Sequence, residues 1–159
     1  MVVKKKKKKK VVNKDTKTYK AKELKRLRKR CSELWSKVVR KRAGNICEIG
    51  KFLGTPCSDG YLNAHHVENY WTNKVLRYAP QNGCATCPGH HKFYRDSAHK
   101  SFIALHNYMV NNRAEDLKYL ALHYKDKEDV TKEFLEEKIH EFLCELEGVG
   151  QLDAGERYI

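Results

Sequence analysis

"NGCATCPGHH", residues 82–91, places one Asn, two Cys and two His within ten positions. Further back, "YLNAHHV" (61–67) carries an adjacent His pair. Thiolates and imidazoles are the ligands zinc takes, and close-spaced pairs let two short turns supply all four. Imidazole also titrates near neutral pH. A His cluster therefore suits hydrolytic chemistry, with one ring on a divalent ion and another taking a proton from water. The fold turns on how these two stretches sit together. "YLNAHHV" alternates enough to make a short strand. Residues 83–86 make a second, and a helix is expected to begin near His91.

Two more cysteines precede this region. Residues 46–63 hold Cys47, Cys57, Pro56 and several glycines, and read as a loop or knuckle. Spacing alone groups Cys47 and Cys57 with Cys84 and Cys87 around a closed, structural zinc. A second group remains in His65, His66, Asn82, His90 and His91. The Lys-rich composition and nearby His favour a thiolate metal site in a reducing, intracellular compartment over disulfides. Cys31 and Cys144 fall on helical stripes and read as structural.

Outward from this centre the chain is helical. Leu24, Leu27, Cys31, Leu34, Trp35 and Val38 step by three and four, which predicts a basic amphipathic helix over 19–44 closed by Gly44-Asn45. "SFIALHNYMVNN" (101–112), "AEDLKYLALHY" (114–124) and "TKEFLEEKIHEFLCEL" (131–146) predict three more, the last with Thr131 as a cap. The organisation is thus a basic arm over 1–18, the helix 19–44, a metal-bearing core over 45–112, C-terminal helices over 113–148 and a tail over 149–159. The fold class is α+β.

Charge separates one end from the rest. Residues 1–43 hold 20 Lys/Arg against three carboxylates, whereas the remainder holds 13 basic and 17 acidic residues. "KKKKKKK" (4–10) is self-repelling and is expected to be disordered when free. A polycation with little apolar surface fits DNA better than a membrane. Lys25, Arg26, Arg28, Lys29, Arg30, Arg40, Lys41 and Arg42 are the candidate DNA contacts. No run of about 18 apolar residues is present, so no transmembrane helix is expected.

"LNAHHV" (62–67) and then "APQNGCATCPGHH" (79–91) resemble the HNH endonucleases, whose pattern is a His-His pair, a loop ending Pro-x-Asn, and a line of the form N-G-I-A-L-C-P-x-C-H. The segment "FYRDSAHKSFIALHNYMVNNRAEDLKYL" (93–120) is similar to the stretch downstream of this motif in phage-type members. The resemblance implies a ββα-metal core with a zinc knuckle, hydrolysis of DNA phosphodiesters and, in a phage context, a host-cell cytoplasm and phage protein partners. In its register Cys84 falls on a core Ile, Cys87 and His90 on thiolate positions, and His91 on a catalytic His. The implied zinc set becomes Cys47, Cys57, Cys87 and His90, with Cys84 in reserve. One departure stands out: members often read C-E-x-C, and this chain has Gly50 where the second Cys would be.

The resemblance further implies that His65 and His91 bind a catalytic Mg²⁺ or Mn²⁺, that His66 is the general base, and that Asn82 holds the loop which orients His66. Arg95, four residues after His91, would share its helical face and clamp the scissile phosphate. Two other readings compete: a zinc-stabilised DNA-binding module without turnover, and a junction-resolving nuclease of the same chemistry. Strand neighbours point to opposite faces, so His65 and His66 serve one site only where the strand ends or twists.

Removing the arm tests the polyanion expectation. Each phosphate neutralised on duplex DNA contributes about −0.9 to the slope of log affinity against log salt. Deletion of residues 1–18 is expected to weaken DNA binding at moderate salt and to make that slope shallower, read by a salt titration of a labelled duplex. An unchanged slope would show that the arm does not touch DNA.

Overall fold

A computed structural model describes residues 16–68, 73–127 and 129–148. The expectations for Lys4–Lys10 and the rest of 1–15, for Trp71, and for the tail after Gly148 lie outside these residues. The fold is α+β, mostly helical, with one two-stranded sheet. No described helix is long and apolar enough to cross a membrane.

Helix α1 spans Lys17–Arg42 and starts two residues earlier than expected, inside the stretch assigned to the arm. The reason is Thr16, whose hydroxyl accepts from the Tyr19 N–H at 3.2 Å and so satisfies one orphan donor of the first turn. Gly44 (φ 64°) and Asn45 (φ 56°) turn left-handed just past its end. Its stripe of Leu27, Cys31, Leu34, Trp35, Val38 and Val39 is buried. That stripe packs against α5 (Lys132–Glu147), which is capped by Thr131 and contributes Leu135 and Phe142. Cys31 sits fully inside this layer, where burial pushes its thiol up to about 12.

The sheet is a hairpin of β1 (Asn63–His66) and β2 (Gly83–Thr86), antiparallel, with His65 opposite Cys84 and His66 opposite Gly83. α1 lies directly on it. A Cβ on Gly83 would meet Val39 at 2.1 Å, so only glycine lets the helix approach this closely. Trp35 donates its indole N–H to the Ala79 carbonyl at 2.9 Å and pins the loop between the strands. Beyond the sheet, α3 (Phe102–Asn112) and α4 (Ala114–His123) close a second layer, in which Cys84 packs with Ile49, Leu105, Tyr108 and Met109.

The stretch 46–63 contains a helix where a loop was expected: α2, Glu48–Leu53, six residues long. Cys47 caps it, its sulfur accepting from the Gly50 N–H at 3.4 Å. The expected helix from His91 is instead one π-helical turn over Gly89–Phe93, ended by extended Tyr94 (ψ 161°).

A charged network ties the layers together. Glu48, 8% exposed, accepts from the Ala85 N–H at 2.6 Å, from the Tyr108 hydroxyl and from Arg113 at 2.8 Å. Arg113 also bonds Asp116, which accepts from Arg42 at 3.2 Å. One chain of bonds thus joins β2, α2, α3, α4 and α1. This assigns Arg42 an internal role, and Lys41 likewise donates to the Glu145 and Leu146 carbonyls at the end of α5 (2.5 and 3.0 Å). Both were expected to contact DNA; in the fold their charges are directed to protein partners. Removing one member of a buried pair leaves its partner's charge uncompensated, at about 3–5 kcal/mol. Arg113→Met is therefore expected to lower unfolding free energy by about 3 kcal/mol or more, measured by urea denaturation at fixed metal concentration. A loss below about 1 kcal/mol, the range of exposed pairs, would show that the network is a surface feature.

Candidate metal centres

The first cluster consists of Cys47, Cys57, Cys87 and His90, whose ligand atoms all lie within 4.8 Å of one another. Cys47 comes from the start of α2 and Cys57 from the loop after it, while Cys87 and His90 flank Pro88 at the end of β2. Each of the two buried sulfurs accepts an N–H three residues on: Gly50 to Cys47 and His90 to Cys87, both at 3.4 Å. The His90 Nδ1 lies 3.2 Å from the Cys87 sulfur and 3.6 Å from that of Cys47. Its Nε2 meets the Thr55 hydroxyl at 2.9 Å, a contact that fixes the ring with Nδ1 facing the thiols.

Gly50 explains how Cys57 reaches this place. A Cβ at residue 50 would sit 2.6 Å from the Cys57 sulfur and 3.0 Å from the His90 ring. The volume that a side chain at 50 would fill is taken by the sulfur of Cys57. Cys84 stands apart: it is fully buried among apolar side chains, and burial holds its thiol well above the ordinary range.

The donor set fits a metal. Although Cys57 is an exposed residue, local desolvation of its sulfur raises the thiol pKa to about 12, and the neighbouring Cys47 and Cys87 add to the rise. Cys87 is opposed by burial too, but hydrogen bonds from the His90 N–H and from Ser58 outweigh it and bring the thiol to about 6. Thiols that resist one another's ionisation are relieved by a cation between them. Three thiols and one imidazole make a tetrahedral zinc set. All six cysteines are free.

The second cluster consists of His65, His91 and His99. Their rings stand nearly perpendicular, with centroids 4.8–5.3 Å apart. His65 comes from β1 and His91 from the π-helical turn. His99 arrives because residues 94–99 fold back over that turn, with Ala98 N–H to the His90 carbonyl at 2.8 Å and His99 N–H to that of His91 at 3.3 Å. Burial, then the charges of His99, His91 and His66, lowers the pKa of His65 to about 3. Burial and His99 lower that of His91 as well. These two rings are neutral at pH 7, with lone pairs available to a metal. His99 is exposed, so the cluster opens to solvent on that side.

His66 leaves the strand in another direction. It stacks on Trp35 (centroids 4.0 Å apart, planes 8° apart) and its Nε2 meets the Arg77 carbonyl at 3.0 Å. A carbonyl only accepts, so Nε2 carries the hydrogen and Nδ1 is the basic nitrogen. Burial lowers the pKa of His66 to about 4, which keeps it neutral at pH 7. Asn82 is fully buried and joins the two ends of the interstrand loop. It accepts from the Glu68 N–H at 2.6 Å and donates to the Glu68 and Leu76 carbonyls at 3.2 and 3.0 Å. It holds the interstrand loop closed.

Arg95 is not where sequence spacing put it. The turn ends at Phe93 and Tyr94 is extended, so the four-residue helical offset from His91 does not apply. Arg95 is exposed beyond the turn. His99, which spacing passed over, is the residue that joins His65 and His91. Its signal in the sequence is only a His in a loop, because the contact depends on a chain reversal. His106, His123 and His140 lie on α3, α4 and α5, outside both clusters.

No protein-family model, no curated protein and no solved structure matches this chain.

Metal content should follow the geometry. The purified protein is expected to hold one tightly bound zinc, measured by elemental analysis. Cys87→Ser and Gly50→Ala should release it, the latter by displacing the Cys57 sulfur, whereas Cys84→Val should retain it. Zinc lost with Cys84→Val and kept with Cys57→Ser would assign the site to Cys84 instead.

Proposed function

We propose that the chain is a metal-dependent DNA endonuclease of the HNH kind, hydrolysing phosphodiester bonds at the hairpin. The observation that carries this reading is the imidazole cluster His65/His91/His99, built from β1, the π-helical turn and the segment that folds back over it, with His66 next to His65 on β1. A zinc in the Cys47/Cys57/Cys87/His90 knuckle would be structural, since four protein ligands leave no open position.

On this reading His65, His91 and His99 hold the catalytic divalent ion. When bound, that ion relieves negative charge on the phosphate and on the leaving oxygen. Three imidazoles with no carboxylate suit Mn²⁺ or a later transition ion better than Mg²⁺, which favours oxygen ligands. His66 is the general base. Its Nε2–H is directed to the Arg77 carbonyl, so Nδ1 is the nitrogen that takes the proton from the attacking water. The Trp35 stack limits rotation of the ring. Asn82 keeps the loop that carries Arg77 closed against β1. Arg95 is given no part in clamping the phosphate.

A plasmid assay tests this. The zinc-loaded protein should nick or cut supercoiled DNA with added Mn²⁺, less well with Mg²⁺, and not at all with EDTA. His66→Ala should lower the rate about 10²–10⁴-fold, the range for a lost general base, while retaining zinc and DNA binding. A shifted but still supercoiled plasmid under every metal condition would favour the non-catalytic DNA-binding module. Full cleavage by folded His66→Ala would remove His66 from the base role.

A further inference from the structure

One outer face of α1 carries Arg28, Ser32, Ser36 and Arg40 at four-residue steps, so they stack along the helix. With Lys37, and with Arg77 from the interstrand loop, they line a groove of about 730 Å³. Lys29 and Glu33 stand on its edge as a weak pair 3.9 Å apart. Five cations thus face one carboxylate.

The groove is fastened to the hairpin. Arg40 donates to the Ser36 hydroxyl at 2.6 Å and reaches the Leu62 carbonyl, just before β1, at 3.4 Å. Arg77 lines the groove with its side chain while its carbonyl meets His66. Trp35, next to Ser36, is the residue stacked on His66. Through Arg77 the groove is joined to the loop whose carbonyl holds the His66 ring. The Arg28 end lies toward the start of α1.

We propose that this groove holds the sugar–phosphate backbone of one nucleic-acid strand and leads it to His66. Guanidinium, ammonium and hydroxyl donors at helical-turn spacing match a regular polyanion. An acidic protein partner would instead call for apolar side chains at an interface core, and every residue lining the groove is Arg, Lys, Ser or Glu. From Arg28 to Arg40 the helix rises about 18 Å, close to the axial length of about five base-pair steps. The destination of the strand rests on the nuclease reading; its binding in the groove does not. The groove also sorts the expected DNA contacts: Arg28, Lys29 and Arg40 line it, whereas Lys41 and Arg42 serve the fold.

The test is a salt titration of duplex DNA binding by fluorescence anisotropy, on the full chain with its zinc and without added divalent ions. Arg28→Gln/Lys37→Gln changes two exposed side chains. It is expected to weaken binding roughly tenfold near 0.15 M salt and to make the log–log slope shallower by about 1.8, two phosphates' worth. The control Lys118→Gln/Lys127→Gln removes the same charge from exposed positions elsewhere, and should leave the slope as in wild type. An unchanged slope in the groove variant, or an equal loss in the control, overturns the proposal. A slope change confined to the groove variant supports it even if plasmid is never nicked, an outcome that removes only the nuclease reading.

Discussion

The structure depends on one backbone turn, Cys87–His91, in which adjacent histidines serve different clusters. The His91 N–H bonds the Cys87 carbonyl at 2.7 Å and the Tyr94 N–H closes on the Gly89 carbonyl at 2.8 Å, a π-type wind. This sends His90 into the thiol cluster and His91 toward His65 and His99. Single π turns are frequent at functional sites. A small sheet of two four-residue strands could not by itself hold both ligand clusters in register, since an isolated hairpin is marginal in water. A zinc held by the thiol cluster would supply the missing rigidity by clamping α2, the Cys57 loop and the turn. The Glu48–Arg113 network does the same on the other side of β2.

Part of this was legible in the chain. The helical stripes of α1 and α5 come from periodicity, because burial against one partner imposes it; the strands do not, since β2 is buried at all four positions and β1 is half-buried at all four. The grouping of Cys47, Cys57, Cys87 and His90 comes from the motif register, although Gly50 appears there only as a gap. Its meaning is steric, visible once the Cys57 sulfur is found in the space a Cβ would need. Arg95 was misplaced because an α-helical offset was carried through a π turn that ends at Phe93. His99 was passed over because its approach to His91 is made by a reversal with no period. Arg42 and Lys41 read as DNA contacts, since pattern alone does not show that a carboxylate 74 residues away or a helix end will meet them.

Electrostatics links the clusters to the proposed chemistry. Burial of His65, His66 and His91 disfavours their protonated forms. The site therefore presents neutral nitrogens in an otherwise basic protein, suited to cations from one side and to a proton from water on the other. The cations needed to hold a phosphate backbone are kept apart, on the α1 face, where they do not raise the cost of placing a metal among the imidazoles. This separation is what the proposed reading asks of the fold: one helix both backs His66 through Trp35 and carries the groove.

The central claim is that one turn builds two distinct metal centres, and anomalous diffraction tests it most directly. Crystals of the full chain grown with Mn²⁺ would be measured on either side of the zinc edge and near the manganese edge. The account requires a zinc peak among Cys47, Cys57, Cys87 and His90, and a separate manganese peak among His65, His91 and His99. A metal bound by Cys84, or a zinc peak with no second ion at the three histidines, would contradict it.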